Sequence, residues 1–108
     1  MANPHAGEVA LEVGGQVMTC KLTLGALAEL EAELGEDTLL SLVGRFESGR
    51  ISSRDVMALL VAGLRGGGWR GDRADLLSLD LGGGPVGAAK AAAELLARAF
   101  GSAGGGAG

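Results

Sequence analysis

The sequence predicts an α+β fold in which an N-terminal β-hairpin precedes a bundle of about four to five short helices. Apolar and polar residues alternate on both sides of Gly14 and Gly15, whereas beyond Leu22 the apolar residues recur at helical spacing. The 21 glycines lie mostly at the edges of these periodic segments, where glycine marks turns and helix ends. A chain of 108 residues, 47% hydrophobic and 20% charged, fits one compact domain. We place this domain at residues 7–101 and a flexible Gly-rich tail at residues 102–108.

The first predicted element is a hairpin from Glu8 to Leu22, with Gly14 and Gly15 supplying the positive φ angles of a two-residue turn. The register pairs Val13 with Gln16, Leu11 with Met18, Val9 with Cys20, and Glu8 with Lys21. One face is then apolar and consists of Val9, Leu11, Val13, Met18 and Cys20. Because a two-stranded hairpin is not stable alone, this face must pack on helices or on the sheet of another chain. Cys20, the sole cysteine, is expected to be a small buried hydrophobic side chain.

Two helices are predicted after the hairpin. Thr23 is a suitable N-cap for the first helix, which ends at Gly35. Its residues at helical spacing are Leu24, Leu27, Leu30, Glu31 and Leu34. Asp37 is a suitable N-cap for the second helix, which ends at Gly49. Its apolar stripe consists of Leu39, Leu42, Val43 and Phe46.

A third helix is predicted from Ser52, because Asp55 follows three residues later and completes a capping box. Its buried stripe consists of Val56, Leu59, Leu60, Gly63 and Leu64. Gly63 within this stripe lowers helix propensity, and we expect it to permit the close approach of a neighbouring element. The run of glycines at residues 66–68 ends the helix.

The remaining segments predict two further helices. The leucines between Asp72 and Leu81 fit a helical turn or a short strand about equally, and we favour a short helix. Pro85, at a first helical position, begins the last helix, and Gly101 ends it. The predicted apolar face of this helix consists of Val86, Ala89, Ala93, Leu96, Ala97 and Phe100.

No group of residues in the sequence predicts catalysis or cofactor binding. Two glycine sets match the dinucleotide spacing G-x-G-x-x-G, namely Gly66, Gly68 and Gly71, and Gly82, Gly84 and Gly87. A dinucleotide site needs a strand before the glycines and a parallel strand after the helix, and neither set has both. His5, the only histidine, lies in a terminus expected to fray. We interpret Glu29, Glu31, Glu33, Glu36 and Asp37 as a solvated face rather than a metal or acid-base site. We therefore predict no enzyme activity, no cofactor and no metal.

The charge and hydropathy of the chain disfavour nucleic-acid and membrane partners. A net charge of −4 and scattered basic residues do not suit binding to phosphates, which requires clustered Lys and Arg. A helical nucleic-acid regulator that faces DNA with Ser53 and Arg54 is therefore a weak alternative. The N-terminus lacks the basic and apolar regions of a secretory signal. The longest apolar run, from Val56 to Leu64, is far shorter than the ~20 residues that cross a bilayer.

One tryptophan, Trp69, lies between glycines and arginines and does not fit the helical periodicity. Together with Arg65 and Arg70 it provides residue types that are enriched in interface hot spots. These three residues are the predicted partner-binding residues. An equally supported alternative is that Trp69 folds back over the core of its own domain.

Three segments carry a resemblance that covers most of the chain. They are Asn3, Pro4 and His5 before the hairpin, residues 22–31, and residues 49–52 with residues 62–68. In these segments the sequence resembles the tail-assembly family of bacterial gene transfer agents, whose small members are described as tail-assembly chaperones or as tail tube proteins. Because the segments contain caps and apolar stripes, the resemblance assigns no catalytic or binding residue.

The resemblance implies a non-enzymatic phage-type tail assembly protein. We expect a chaperone that binds the tape-measure protein in the bacterial cytoplasm while the tail forms. Self-association into a homo-oligomer is compatible with this role. The alternative is a structural tail component, a tube or joining subunit, that is retained in the tail particle.

Overall fold

The computed structural model describes residues 7–34 and 39–101. In these residues an antiparallel hairpin precedes five helices, which confirms the predicted α+β class. The strands are β1 (Glu8–Val13) and β2 (Gln16–Lys21). The helices are α1 (Leu24–Leu34), α2 (Leu39–Ser48), α3 (Ser53–Gly66), α4 (Arg73–Leu77) and α5 (Gly84–Leu96), and a π-helical turn, Ala97–Gly101, extends α5. Several predicted features lie outside the described residues, namely His5, the helix end at Gly35, the N-cap at Asp37 and the tail at 102–108.

The hairpin has the predicted register in every pair. Gly14 and Gly15 have φ angles of 58° and 84°, which glycine adopts without a steric penalty. The apolar face is buried, as predicted, through Val9, Leu11, Val13 and Cys20. Helices α3 and α5 of the same chain pack against the hairpin, α3 on β2 and α5 on β1.

Helix α3 is the central element of the core. The predicted capping box is present, since the Asp55 amide donates to Ser52 Oγ and the Ser52 amide donates to Asp55 Oδ2, both at 3.1 Å. Three leucines of its stripe are fully buried, namely Leu59, Leu60 and Leu64. Gly63 receives the Leu95 side chain of α5, whose Cδ1 would lie 2.7 Å from a Cβ at that position. The expected close approach at Gly63 is therefore confirmed.

Helix α1 packs beside α3, and the ion pair between Arg45 and Asp55 links α2 to α3. Thr23 caps α1 as predicted, because its Oγ1 accepts a hydrogen bond from the Ala26 amide at 3.1 Å. Among the α1 side chains that the structure describes, Ala26 and Leu30 are buried, whereas Leu24 is 85% exposed. Helix α2 buries Leu42 and ends, as predicted, at Gly49, whose φ is +75°.

The two edges of the hairpin have different surroundings. The end of α3 lies so close to β2 that a Cβ at Gly66 or Gly67 would overlap the carbonyl oxygens of Lys21 or Thr19. On the β1 side, Leu81 forms a single antiparallel bridge to Val13. The segment from Asp72 to Leu81 is therefore helical only in α4, and its last residue joins the sheet.

The predicted face of α5 is wrong except at Leu96, which is buried, although Pro85 does lie in the first turn of this helix. Val86 is 80% exposed, Phe100 is 37% exposed, and Ala93 and Ala97 are also exposed. The buried face consists of Ala88, Ala91, Ala92, Leu95 and Leu96. Alanines occupy positions around much of the circumference of this helix, so the sequence shows no strong apolar stripe that would predict its buried face. The contact of Leu95 with Gly63 is consistent with the observed rotation.

Candidate interaction surface

The three predicted partner-binding residues, Arg65, Trp69 and Arg70, line one groove between the first turns of α1 and the C-terminal end of α3. The groove has a volume of about 390 Å³. Its other lining residues are Thr23, Gly25, Ala26, Glu29 and Gly66. The fold thus places the three residues on one surface, and partner binding by that surface stays a prediction.

The end of α3 positions Trp69. Gly68 has a φ of +107°, and the Trp69 amide donates to the Leu64 carbonyl oxygen at 2.9 Å, which turns the chain back toward the helix. The side chain is half-buried and packs against the core. Its indole ring lies over Gly71, where a Cβ would overlap the ring. Trp69 therefore covers the core of its own domain and also lines the groove.

Arg65 is held in place by Glu29 of α1. Its Nε donates to Glu29 Oε1 at 2.8 Å, its Nη2 donates to Oε2 at 3.3 Å, and its Nη1 donates to the Gly71 carbonyl oxygen at 3.1 Å. The hydrogen bond from Arg65 lowers the pKa of Glu29, and the same hydrogen bond raises the pKa of Arg65. Both side chains are well exposed, at 39% and 53%, so solvent screens the pair. The main effect of the ion pair is to orient the guanidinium group of Arg65.

A second hollow, of about 360 Å³, lies on the other side of this ion pair, between α1, α3 and α4. Glu29 and Arg65 line both hollows and form the ridge between them. Arg73 of α4 contributes a second ion pair, with Nη1 3.5 Å from Glu33 Oε1. Two carboxylates of the exposed α1 face are therefore paired with arginines from distant parts of the sequence, and neither pair was predicted.

Arg70 and Leu24 add a charged and an apolar side chain to the surface around the groove. Arg70 is exposed and, among the residues that the structure describes, has no acidic partner. Leu24, which directly precedes the lining residue Gly25, exposes an apolar side chain. A tryptophan, an arginine and an aliphatic side chain together are typical of interface hot spots. Leu24 was not predicted at this surface, because its spacing matches that of buried helix residues.

The described residues show no arrangement suited to metal or thiol chemistry. Residues 7–34 and 39–101 contain no group of three or more metal-ligating side chains. Burial raises the pKa of the Cys20 thiol to about 12, so this thiol is not a nucleophile near neutral pH. The first glycine set, beginning at Gly66, follows α3 rather than a strand. None of the helices in the described part of the chain has the length and hydropathy to cross a membrane.

Comparison with known proteins identifies one family. A family model described as phage tail tube protein, GTA-gp10, matches residues 6–102. No curated protein and no solved structure matches the chain significantly. The matched range contains the hairpin, all five helices described above and every residue of the groove.

Proposed function

The chain belongs to the GTA-gp10 family of phage tail tube proteins, and from this membership we propose that it builds phage-type tails by contact with another tail protein. In the function we favour, it is a non-enzymatic chaperone that binds the tape-measure protein in the bacterial cytoplasm. The observation that carries this proposal is the groove of Arg65, Trp69 and Arg70, which combines an aromatic surface with a positive charge.

The dimensions of the groove suit one or two side chains of a partner rather than a whole element. A volume of about 390 Å³ admits an apolar side chain against Trp69, with Leu24 at the border of the contact. Arg70, which has no acidic partner among the described residues, can pair with a carboxylate beside that side chain, which adds specificity to the contact. We therefore expect the recognised segment of the tape-measure protein to present an apolar residue next to an acidic one.

A second candidate function is a structural tail subunit, a tube or joining component, that remains in the particle. The description of the family as tail tube proteins favours this candidate. A subunit that closes a ring must bury large complementary surfaces against its neighbours. Under this function the groove contacts an adjacent subunit instead of a tape-measure segment.

Quantitative mass spectrometry separates the two functions. The chain is measured in purified tail particles and in the lysate of the cells that produce them. Abundance in the lysate with absence from the particles supports the chaperone. A fixed stoichiometric amount in the particles makes the chain a structural subunit and refutes the chaperone function.

The groove itself is tested by charge reversal. Arg70→Glu should weaken binding to the purified tape-measure protein by about tenfold or more, because it replaces attraction to a carboxylate by repulsion. Arg54→Glu is the matched control, since Arg54 is exposed at the opposite end of α3 and outside the groove. Equal affinities of the two variants would show that the groove is not the binding site. Thermal unfolding of both variants verifies that the fold is intact.

A further inference from the structure

One side of α5 carries apolar side chains that the described part of the chain leaves largely uncovered. Val86 is 80% exposed and Phe100 is 37% exposed, and Ala93 and Ala97 between them are also exposed. With the half-buried Ala89, these residues recur every three or four positions, so they share one side of the helix and of its π-helical turn. The opposite side of the helix packs on α3 and β1. We name these five residues the outer face of α5.

A hollow adjoins each end of the outer face. The N-terminal hollow, of about 500 Å³, lies between Pro85 and Ala89 of α5 and Met57 of α3. The C-terminal hollow, of about 350 Å³, lies between Ala97 at the end of α5 and Phe46 of α2. Most of the residues that line each hollow are apolar. Each hollow therefore suits an apolar side chain of a binding partner.

The spacing of the outer face is symmetric about Ala93. Val86 and Phe100 lie seven residues on either side of it, and Ala89 and Ala97 lie four residues on either side. If α5 of a second copy packs antiparallel with the two Ala93 residues in contact, Val86 of each copy lies opposite Phe100 of the other. The alanines between them permit a close approach of the two helices. Phe100 of each copy then lies at the N-terminal hollow of the other, and Val86 lies at the C-terminal hollow.

The charges beside the outer face favour this antiparallel arrangement. Lys90 and Glu94 are one helical turn apart and border the outer face on the same flank. Lys90 has no acidic partner among the described residues, and Glu94 Oε2 is 3.9 Å from Arg98 Nη2. The antiparallel packing places Lys90 of each copy about 3 Å, measured along the helix axis, from Glu94 of the other. In a parallel pair, Lys90 would instead face the other flank, where Ala92 and Ala99 offer no carboxylate.

We propose that α5 is the interface of a two-fold homodimer, in which the outer faces pack antiparallel about Ala93 and each Phe100 enters the N-terminal hollow of the other copy. A second copy supplies both the apolar side chains for the hollows and the charges for the flank. The segment 102–108 has no side chain larger than serine and cannot fill the hollows. The groove shares no lining residue with either hollow. The dimer therefore does not rest on the proposed function, and each copy keeps its own groove.

The dimer is tested by sedimentation equilibrium of the full chain from about 1 µM to about 500 µM. The unmodified chain should be a dimer at the upper end of this range. Ala93→Glu should weaken dimerisation by at least about 100-fold, because two like charges would meet on the symmetry axis. Ala32→Glu, the same change at an exposed position of α1, should leave dimerisation unchanged. A chain that is monomeric throughout the range, or equal dimerisation of the two variants, would overturn the proposal. Circular dichroism verifies that both variants are folded.

The orientation of the two helices is tested with Val86→Cys and Phe100→Cys under oxidising conditions. In the antiparallel dimer, residue 86 of one copy lies opposite residue 100 of the other. A disulfide-linked dimer should therefore form when the two variants are mixed, and neither variant alone should form one. Linked dimers of each variant alone, or no linked dimer in the mixture, would refute the antiparallel interface. Cys20 is buried in the core, and the unmodified chain serves as the control for its reactivity.

The outcome is separable from that of the proposed function. Arg70→Glu should leave dimerisation unchanged, and Ala93→Glu should still bind the tape-measure protein through its groove. A monomeric unmodified chain whose binding to the tape-measure protein is lost in Arg70→Glu would refute the dimer alone. A dimeric chain whose binding is unaffected by Arg70→Glu would refute the groove alone.

Discussion

Replacing Asp55 by asparagine should destabilise the protein by about 2–3 kcal/mol, because this carboxylate both caps α3 and holds α2. Its Oδ2 accepts from Arg45 Nε at 2.9 Å and from the Ser52 amide at 3.1 Å, and its Oδ1 accepts from Arg45 Nη2 at 2.9 Å. Weakening a helix cap costs about 0.5–1 kcal/mol. Breaking a fully buried ion pair costs ~3–5 kcal/mol, whereas an exposed pair contributes ~0–1 kcal/mol. Side-chain exposures of 25% for Arg45 and 7% for Asp55 place this pair between the two limits, at about 2 kcal/mol.

The assay is urea denaturation at pH 7, followed by circular dichroism, with Asp75→Asn as the matched control. Asp75 completes the capping box of α4 with Asp72, but it is exposed and makes no ion pair with an arginine in the described structure. The control should lose about 1 kcal/mol or less. If Asp55→Asn loses no more stability than Asp75→Asn, the ion pair with Arg45 does not hold α2 to α3.

The same carboxylate should make stability depend on pH in the acid range. Burial raises the pKa of Asp55, but the hydrogen bonds from Arg45 and Ser52 outweigh burial and hold the pKa below its ordinary value. Folding therefore favours the ionised form. The contribution of Asp55 to the free energy of unfolding is complete above the pKa of about 3.9 that the carboxyl has in the unfolded chain. This contribution is lost as the pH falls through the lower pKa that the carboxyl has in the folded chain. Between pH 5 and pH 2 the unmodified chain should lose more stability than Asp55→Asn, and parallel losses would contradict this assignment.

The remaining predictions concern packing around α3, with chemical denaturation as the measurement unless stated otherwise. Gly66→Ala should lower the free energy of unfolding by at least about 3 kcal/mol, because the new Cβ would overlap the Lys21 carbonyl group. Gly44→Ala, in open space on α2, should instead raise the free energy of unfolding by up to about 1 kcal/mol through helix propensity. Gly63→Ala should lose about 1 kcal/mol net, because overpacking against Leu95 outweighs the gain in helix propensity; a more stable variant would show that Leu95 moves aside freely. The Cys20 thiol, buried and with its pKa raised to about 12, should react with a disulfide reagent at pH 8 only at the rate of unfolding; rapid labelling of the folded chain would contradict its burial.

Sequence alone was sufficient for the features that depend on neighbours in the chain. The hairpin register follows from the alternation around a two-glycine turn, and shifting it by one residue would turn the apolar face outward. The caps at Thr23 and Ser52 are hydrogen bonds between residues three apart. The apolar stripe of α3 is rich in leucines, so only one rotation of this helix about its axis turns the stripe toward the core. These predictions were correct because the interactions that decide them lie within a few residues.

The candidate site was predictable only as a set of residue types. Trp69, Arg65 and Arg70 were selected because tryptophan and arginine between glycines do not fit a helix core, and the structure places all three in one groove. The sequence did not indicate that Glu29 would orient Arg65, because the two residues are 36 positions apart. It also did not indicate the exposure of Leu24, whose position in the periodic pattern resembles that of a core residue.

Tertiary packing decided the rest of the fold. An alanine-rich helix such as α5 can bury any of several faces at similar cost, so the insertion of Leu95 at Gly63, a contact between distant segments, decides between them. Likewise, Leu81 extends the sheet because the turn before α5 brings it beside Val13. Local hydrogen bonds and alternation determine secondary structure from neighbouring residues, whereas the rotation of a weakly patterned helix and the pairing of Leu81 with Val13 depend on which surfaces meet in the folded chain.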